Sequence, residues 1–563
     1  MMLLLALACL PKSAVTPTET PKPAYPVTVP IAAVNDWHGA LYETPRKDDP
    51  TMATGGLPWL AGTLEAMRAQ SPNLVLLDGG DVFQGSWPVN QSKGMGAVEA
   101  FNLLRVDAAA IGNHEFDYGG SPTHPLRGAL MDAARTARFA WLTANVREGT
   151  APWAPPGIRA TTILERNGVR IGVIGLTTTD TPQTTLSKNV VDLQFADPVQ
   201  AVKDTIPTLG KVDAIAVVGH LTGKCSPPGW AEPPGADCRP DGEIGRLLTE
   251  LPRGTIDVLV MGHAHTLLAN RIDDTFVLEN RDRGQVIGRV DLVIGEAGVD
   301  ADASRMYPPL SVTHPRSEPG CEGGAFRADP VTIGPYTVTP SADAVALVQR
   351  LEATSGNLCG EVGCVTSAMT RNREGESAVG NLVVDAMLAG YPGADFAIQN
   401  SGGLRNDIPA GTVRREGIQS VMPFENATML VELSGEQVIQ LFRLGSSGAH
   451  GVLQVSGAQY KFDPAKKGGS DVDGNGAVEA WETDRLCWVK VGGKNVDPKR
   501  TYKVVTSDFL YDGGDHLGPA LTGRPVLERG ATIRDAMYTW ASRQTQCFDA
   551  VAGVRDRVIV GGC

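Results

Sequence analysis

The sequence lacks an apolar run long enough to cross a membrane as a helix. Its first apolar segment, residues 2–10 (MLLLALACL), falls far short of the roughly 20 residues that a spanning helix needs. This run is typical of the apolar core of an export signal, and Ala8 before Cys9 predicts a lipoprotein cleavage site. Residues 11–30, which carry many Pro and Thr, predict a flexible tether. We therefore expect a processed segment and tether over residues 1–25, a lipid anchor on Cys9 and no transmembrane span.

Basic residues are outnumbered in this chain. There are 50 Lys and Arg against 63 Asp and Glu, which gives a formal net charge of −13. Such an acidic chain binds nucleic-acid backbone poorly, so we expect no nucleic-acid polymer as a partner. A small anionic substrate is still compatible with this charge, because bound metal cations can dominate the local field. The 563 residues exceed what one core usually organises, which predicts two domains.

Cysteines are few, and their number is informative. Without Cys9, the nine cysteines leave an even set of eight, enough for four disulfides in an oxidising compartment, with reduced thiols as the alternative. Sequence separation favours two local pairs, and one further pair is a guess from the remainder: Cys225 with Cys238, Cys359 with Cys364, and Cys487 with Cys547.

Short apolar runs alternate with longer mixed segments between residues 27 and 295. The runs are rich in Val, Ile, Leu and Ala without polar alternation, which is typical of strands buried on both faces. They cover residues 27–34, 73–78, 107–112, 170–176, 213–219 and 257–262. Segments such as 57–70 have the composition of intervening helices. This pattern predicts an α/β fold built on layered sheets.

A Pro- and Gly-rich stretch, residues 296–340, follows this first region. Residues 341–353 then predict a helix with Ser341 as its N-cap, and a second mixed α/β region runs to the end of the chain. We therefore place the first domain at 26–335, a connector helix or hinge at 336–356 and a smaller second domain at 357–563.

Metal-capable side chains follow the predicted strands. The clusters are NDWHG (35–39), DGGD (78–81), GNHEFD (112–117), GH (219–220) and GHAH (262–265). Ligands in open α/β sheets bind beyond the carboxyl ends of the strands, so these clusters can converge on one place. A single histidine is more often a surface or core residue, but five of the nine histidines lie here, directly after apolar runs. The combination predicts a metal site.

The residue types in these clusters indicate which metals fit. Carboxylate, amide oxygen and imidazole suit divalent ions such as Zn, Mn or Fe(II). No cysteine lies in the clusters, which argues against a thiolate zinc site. A carboxylate such as Asp81 can bridge two ions about 4 Å apart, an arrangement that activates water for phosphoryl displacement.

The same clusters resemble a known family. The series NDWHG, GGDVFQGS, GNHEFD, GH and GHAH resembles the calcineurin-like metallophosphoesterase signature, and GNHEFD resembles its 5'-nucleotidase branch. The resemblance implies a four-layer αββα sandwich with two divalent transition metals. It implies the ligands Asp36, His38, Asp81 and His265 for one ion, and Asp81, Asn113, His220 and His263 for the other. His114 and Asp117 resemble the family's catalytic dyad, in which the imidazole would stabilise the transferring phosphoryl group or the leaving oxygen.

Three motifs of the second region resemble the 5'-nucleotidase C-terminal domain. They are NSGGLR (400–405), PFEN (423–426) and VTSDFLYDGGD (505–515). By that resemblance Phe424 and Phe509 would sandwich the base, and Asp515 would accept the ribose hydroxyls. The remaining implied substrate-binding residues are Arg373, Asn400, Arg405, Asn426 and Gly457, with the arginines suited to phosphate or ribose and Gly457 to close approach of the base.

Residues 471–482 (DVDGNGAVEAWE) predict a calcium loop inserted in the second domain. Asp471, Asp473, Asn475 and Glu482 occupy positions 1, 3, 5 and 12 of an EF-hand loop, with Gly476 at the position of the sharp turn. The alternative is an acidic surface turn. We expect one bound calcium ion with a structural role.

These features favour an exported bacterial enzyme, periplasmic or held at the outer membrane or cell surface. The expected reaction is hydrolysis of nucleoside 5'-phosphates to nucleoside and phosphate. Alternatives on the same fold are a 2',3'-cyclic nucleotide phosphodiesterase, a nucleotide-sugar hydrolase and a sulfur-ester hydrolase. A non-catalytic nucleotide-binding protein is a further alternative, but the ligand set is intact. The two Phe argue against the sulfur ester, which has no base to stack.

Overall fold

The structure is a computed structural model of the chain. It describes residues 24–563 except 224, 227–228, 231–236, 239–241, 318–325, 357, 449, 480–481 and 549–555. The predicted export segment, Cys9 and the tether up to residue 23 lie outside the described residues. Among the described helices, none has both the length and the apolarity to cross a membrane.

Two large sheets form the first region. The first has eight strands. Seven follow the order Gly298–Met306, Val286–Gly295, Val27–Val34, Val75–Asp78, Ala108–Ala110, Ala140–Leu142 and Ile158–Arg159. The eighth, Leu310–Ser311, pairs with Val286–Gly295. The second has seven, in the order Thr161–Arg166, Val169–Thr177, Ala214–His220, Val258–Gly262, Thr275–Asn280, Leu267–Ile272 and Gly229–Trp230. The central strands of both sheets are parallel, as the unalternated apolar runs predict.

The two sheets pack face to face, and helices cover their outer faces. Along Val27–Val34, the side chains of Val29 and Ile31 enter the core between the sheets, whereas Ala32 and Val34 face the helical layer, because successive residues of a strand point to opposite faces. The layer on the first sheet contains Leu57–Gln70, Met95–Leu104, Gly128–Thr136 and Ala342–Ala353. The layer on the second contains Pro198–Thr205 and Glu243–Glu250. The predicted four-layer αββα sandwich is confirmed.

Shorter elements complete the first region. Small sheets join Val146–Glu148 with Ala151–Pro152 and Leu193–Phe195, Glu43–Pro45 with Met52–Gly55 and Thr313–Pro315, Cys225–Ser226 with Asp237–Cys238, and Val331–Ile333 with Tyr336–Val338. The short helices are Trp87–Gln91 and Thr181–Thr184, and the 3₁₀ turns are His114–Phe116, Ser187–Asn189 and Ile206–Leu209.

The predicted connector helix spans Ala342–Ala353 and belongs to the packed body of the first region. Its buried residues Leu347, Val348 and Leu351 join the same apolar core as the helices on the first sheet. Ser341 stands at the N-cap position, but its hydroxyl donates to Glu65 Oε1 at 2.8 Å instead of capping the helix. The helix is therefore packed as part of the first region.

The second region is smaller and is also mixed α/β. Its main sheet has the order Leu453–Ser456, Phe396–Asn400, Thr501–Ser507, Ala427–Ser434 and Val526–Thr532, and a second sheet has the order Lys494–Asn495, Leu486–Val491, Ala458–Phe462 and Val558–Val560. A two-stranded sheet pairs Glu361–Val365 with Gly411–Arg414. The helices are Ala378–Ala389, Arg415–Val421, Gly435–Gly445, Asp508–Tyr511, Gly518–Leu521 and Ile533–Ala541, with 3₁₀ turns at Ser401–Gly403 and Gly514–His516.

Disulfides link distant parts of the second region. The described bonds join Cys364 to Cys547 and Cys487 to Cys563, 183 and 76 residues apart. The predicted pairs Cys359–Cys364 and Cys487–Cys547 are therefore wrong, because strand pairing in the fold brings other cysteines within reach. Cys359 and Cys225 are also disulfide-bonded.

Cys225 lies opposite Cys238 in a pair of short strands. The side chain of Cys238 falls outside the described part of the structure. The pairing of these two cysteines therefore stays a prediction.

Candidate functional site

The candidate metal ligands lie where parallel strands of both sheets end. Val34 pairs with Asp78 in the first sheet, and His220 pairs with both Thr177 and Gly262 in the second. The strands therefore end level with one another. The strand ends and the loops that follow them bring together the side chains of Asp36, His38, Asp81, Asn113, His220, His263 and His265.

The first group surrounds one point beside Asp81. His38 Nε2 lies 3.1 Å from His265 Nε2, and His265 Nε2 lies 3.2 Å from Asp36 Oδ1. His38 Nε2 is 3.9 Å from Asp81 Oδ2. Ligand atoms that share one ion at about 2.1 Å stand roughly 3.0–3.4 Å apart. The contacts of His265 with His38 and Asp36 fall in this range, and the Asp81 oxygen lies slightly farther from His38.

The second group lies on the other side of Asp81. His220 Nε2 is 3.1 Å from Asp81 Oδ2 and 3.1 Å from Asn113 Oδ1. It is also 3.2 Å from His263 Nδ1. Asp81 is therefore the carboxylate common to the two groups, the place that a bridging ligand would occupy.

Backbone carbonyls orient two of the imidazoles. His38 Nδ1 is 3.1 Å from Gln84 O, and His220 Nδ1 is 3.0 Å from Gly79 O. Each Nδ1–H donates to its carbonyl, which leaves Nε2 with a lone pair directed into the site. This arrangement is typical of metal-binding histidines.

The backbone is strained at the same residues. Asp36, His38, Asp81, His263 and His265 all have φ between 48° and 96°. Residues other than glycine seldom adopt such angles, which cost on the order of 1–3 kcal/mol each and cluster at functional sites. The fold holds five of the seven candidate ligands in this way to aim their side chains at one centre.

The electrostatics of the site suit cations. Burial acts to raise the pKa of Asp36, but His265 and His220 outweigh it and lower this pKa to about 2. Burial likewise acts to lower the pKa of His220, but Asp81 raises it to about 10. The carboxylates of Asp36 and Asp81 are almost fully buried, so they need positive charge beside them. The donor set of carboxylates, imidazoles and one amide fits two divalent ions.

His114 and Asp117 form a dyad at the edge of this cluster. His114 Nδ1 lies 2.6 Å from Asp117 Oδ2, and its Nε2 lies 3.9 Å from Asp81 Oδ2. Burial acts to lower the pKa of His114, but Asp117 and Asp81 raise it overall, which favours an imidazolium. The hydroxyl of Thr185 donates to Asp117 Oδ1 at 2.8 Å and fixes the carboxylate. Sequence reasoning missed Thr185, because no local pattern links it to Asp117.

Glu115 is a second residue that sequence reasoning missed. Its carboxylate accepts hydrogen bonds from the backbone N–H groups of Asp81, Val82, Phe83 and Gly112, at 2.6–3.1 Å. It thereby ties the loop of Asp81 to the loop that carries Asn113 and His114. Burial and the charge of Asp81 raise the pKa of Glu115 to about 7.

One cavity of about 630 Å³ joins the metal cluster to the second region. Its walls include Asp81, Asn113, His114, Asp117, His263 and His265 on one side, and Arg373, Asn400, Arg405, Phe424, Asn426, Phe509 and Asp515 on the other. Arg405 Nη2 lies 3.3 Å from His38 Nε2. The Phe424 ring lies 5.9 Å from the His114 ring and within 6.0 Å of the Arg405 guanidinium. The two regions therefore face each other across a shared cavity.

Further contacts hold the regions together around the cavity. Asn90 Nδ2 donates to Pro423 O at 2.9 Å, and Ser187 Oγ donates to Asp512 O at 2.7 Å. Arg283 Nη2 donates to Arg405 O at 3.1 Å. Burial, together with Arg283 and Arg373, lowers the pKa of Arg405 to about 10. This cationic wall is suited to an anionic ligand.

Two cavity-lining residues of the second region contact each other, since Asn400 Nδ2 donates to Asp515 Oδ2 at 2.7 Å. Asp515 has a φ of 53°, and burial raises its pKa. Gly457 does not reach the cavity. A Cβ there would lie 2.5 Å from Asp395 O, so the glycine serves the turn between two strands, where its φ is 79°. The expected contact of Gly457 with a base therefore has no support in this placement.

The predicted calcium loop wraps around its acidic side chains. Glu482 is fully buried and accepts backbone hydrogen bonds from Val472, Asp473 and Glu479 at 2.8–2.9 Å. Asp471 accepts from Gly474 and Gly476 at 2.6 and 3.0 Å. One carboxylate oxygen each from Asp471, Asp473 and Glu482 lies within 4.8 Å of the others, a spacing that one cation can bridge.

Two family profiles match the chain. The calcineurin-like phosphoesterase profile matches residues 29–267, and that of the 5'-nucleotidase C-terminal domain matches residues 354–523.

Curated relatives match the chain at 25–26% identity. A 5'-nucleotidase of Diplobatis ommata is 26% identical over 94% of this chain and 90% of its own length. A cell wall protein of Listeria monocytogenes is 25% identical over 89% of this chain, which spans 65% of that protein. The chain spans 30% of a trifunctional nucleotide phosphoesterase of Bacillus subtilis, with 25% identity.

Solved structures share the fold. A 5'-nucleotidase precursor from Thermus thermophilus superposes with a TM-score of 0.74 at 24% identity, over 95% of this chain and all of that one. The two profiles follow each other along the chain in the order of the two structural regions. The chain therefore belongs to the 5'-nucleotidase family, with a calcineurin-like phosphoesterase domain followed by a 5'-nucleotidase C-terminal domain.

Proposed function

We propose that this chain hydrolyses nucleoside 5'-phosphates to nucleoside and phosphate in a metal-dependent reaction. One observation carries the proposal: a single cavity is lined by the metal-capable cluster on one wall and by two Phe, two Arg and an Asp on the other. A phosphate at the first wall and a base at the second would belong to one nucleotide. The 5'-nucleotidase names among the relatives agree with this reading.

Two divalent ions, Zn, Mn or Fe, would be held by the two groups around Asp81. The ligands would be Asp36, His38, Asp81 and His265 for one, and Asp81, Asn113, His220 and His263 for the other. When bound, such a pair supplies an activated water and charge stabilisation for phosphoryl displacement.

Side chains of both domains would handle the phosphate. Arg405 and Arg373 line the cavity opposite the metal cluster and would bind the phosphate oxygens. His114 would stabilise the charge that develops on the transferring phosphoryl group or on the leaving ribose oxygen. Asp117 would hold the imidazole protonated and oriented through the 2.6 Å contact at Nδ1.

The C-terminal domain would hold the nucleoside. Phe424 and Phe509 are partly exposed and line the cavity, so each offers a face on which a base can stack. Asn426 would hydrogen-bond the base edge. Asp515 would accept the ribose hydroxyls, with its carboxylate oriented by Asn400. The relatives and the two Phe support a nucleotide over a sulfur ester, which has no base.

Catalysis would require the two domains to move relative to each other. The proposed division places the catalytic domain at 26–335, the connector at 336–356 and the nucleotide-binding domain at 357–563. Since the helix Ala342–Ala353 is packed on the catalytic domain, we place the pivot after it. Opening would break contacts such as that of Ser187 with Asp512.

The disulfides and the cell wall relative fit an exported protein. We propose a periplasmic or surface location with a lipid on Cys9. The loop 471–482 would hold one calcium ion, which is abundant outside the cytoplasm.

A substrate panel after metal removal tests the function. The protein is stripped by chelation, reloaded separately with Zn, Mn or Fe(II), and assayed with AMP, ATP, a nucleotide sugar and a 2',3'-cyclic nucleotide. We expect no activity without metal, recovery on reloading, and release of phosphate from AMP. A reloaded enzyme that cleaves the cyclic nucleotide but leaves AMP intact would reject the proposal in favour of a phosphodiesterase.

A further inference from the structure

A second metal-capable cluster lies at the interface of the two domains, outside the groups around Asp81. It consists of Asp180 from the catalytic domain and His450 and His516 from the C-terminal domain. One ligand atom from each lies within 4.8 Å of the others. The two imidazole rings stack with centroids 5.1 Å apart, and His516 Nε2 is 3.8 Å from Asp180 Oδ1.

The fold holds these side chains at the interface. Asp180 precedes the helix Thr181–Thr184, yet its carboxylate does not cap that helix. Its loop is anchored by Glu243, which accepts hydrogen bonds from Thr179 N and Oγ1, both at 2.8 Å. His516 follows Asp515 directly and has a φ of 60°, and its ring stacks on that of His450. Loops of both domains therefore place the three side chains together.

The donor set of this cluster suits a cation. It offers two imidazole nitrogens and one carboxylate oxygen, which are common ligands of divalent transition ions. Imidazole binds such an ion in its neutral form. Asp180 and His516 remain 22% exposed, so an ion can enter from solvent.

We propose that Asp180, His450 and His516 form a third transition-metal site, which joins the two domains in the closed state. Two imidazoles and one carboxylate suit Zn²⁺ or a similar divalent ion, with water as the remaining ligand. The cluster shares no residue with the two groups around Asp81. The proposal rests on the two-domain geometry and not on the identity of the substrate.

An ion at this site would act on the reaction through domain closure. Thr184 O, in the helix after Asp180, accepts from Asn113 Nδ2 at 3.1 Å, and Thr185 donates to Asp117. On the other side, His516 adjoins Asp515, which lines the cavity and would bind the ribose. Binding that requires ligands from both domains stabilises only the closed form and slows opening.

Metal counting tests the site. Chelated protein is saturated with calcium to fill the loop 471–482, equilibrated with Zn²⁺, gel-filtered and analysed for zinc per chain. Wild type is expected to retain one zinc ion more than Asp180→Asn and His516→Asn. His124→Asn, which changes a partly exposed histidine that belongs to no such cluster among the described residues, is expected to match wild type. Equal zinc in wild type and Asp180→Asn overturns the proposal.

Closure gives a second readout. Small-angle scattering should show that zinc makes wild type more compact and leaves Asp180→Asn unchanged. A zinc-dependent compaction of equal size in both proteins would contradict a domain-bridging role. Because the zinc count is a difference between variants, it remains valid if the proposed nucleotidase activity fails. The two proposals can therefore fail independently.

Discussion

At the residue scale, the site depends on a few side chains that act at different distances from the reacting atoms. His114 lies 3.9 Å from the carboxylate shared by the two ligand groups, whereas Asp117 acts only through His114. Glu115 belongs to neither ligand group but fixes the loops that carry both. These differences lead to different mutational signatures.

His114→Ala should reduce turnover by about 10²–10⁴-fold, because it removes the group that stabilises the developing charge. Its metal content should stay near that of wild type, since the imidazole belongs to neither ligand group. Turnover of AMP and metal analysis on the same preparation measure both effects. His124→Ala is the matched control and should keep full activity. Unchanged turnover in His114→Ala would remove His114 from the mechanism.

Glu115→Gln should weaken metal binding by about 10–100-fold, because an NH2 donor replaces one of the two oxygens that accept from the backbone of the ligand loops. The measurement is metal retained after dialysis against a graded series of chelator concentrations. Glu165→Gln changes an exposed glutamate and should behave as wild type. A normal retention curve for Glu115→Gln would show that the loops hold their shape without it.

At the element scale, strand ends and turns carry the ligands, and this is why the sequence was informative. Buried parallel strands leave a continuous apolar run, and their carboxyl ends lie at one edge, so the clusters after 34, 78 and 262 could be placed together. The same runs predict layered α/β sheets, and the four-layer sandwich was implied by the family resemblance.

Long-range pairings could not be predicted in this way. Cys364 bonds to Cys547, 183 residues away, and nothing local distinguishes that partner from Cys359. Thr185 reaches Asp117 across 68 residues, and the cluster of His450 forms only when the domains meet. The predicted connector helix exists, but its packing on the catalytic domain depends on a core that the sequence pattern does not reveal.

The loop 471–482 should bind calcium and stabilise the C-terminal domain. Calcium at about 100 times its Kd contributes about 2.7 kcal/mol, which corresponds to roughly 5–10 °C in Tm for a domain of this size. Thermal unfolding with and without excess calcium measures the shift. The double variant Asp471→Asn, Glu482→Gln should lose it, whereas Asp484→Asn, just outside the loop, should keep it. Equal shifts in all three proteins would place the calcium elsewhere.

At the scale of the whole molecule, the function depends on two domains that complete one cavity. The catalytic domain alone presents a centre suited to two divalent ions and phosphoester hydrolysis. The C-terminal domain adds Arg405 and Phe424 beside that centre, and Phe509 and Asp515 also line the cavity. The substrate would therefore be selected by one domain and cleaved by the other, and closure would join the two steps.

In the proposed reaction, a base bound by the C-terminal domain would direct the phosphate to the metal centre. The most direct measurement compares kcat/KM for AMP and for a simple aryl phosphate in wild type and Phe509→Ala, both reloaded with the same metal. Loss of one stacking face costs about 1–3 kcal/mol, so kcat/KM for AMP should fall roughly 5- to 150-fold while that for the aryl phosphate stays near wild type. An equal loss on both substrates, or no loss on AMP, would contradict this role of the base.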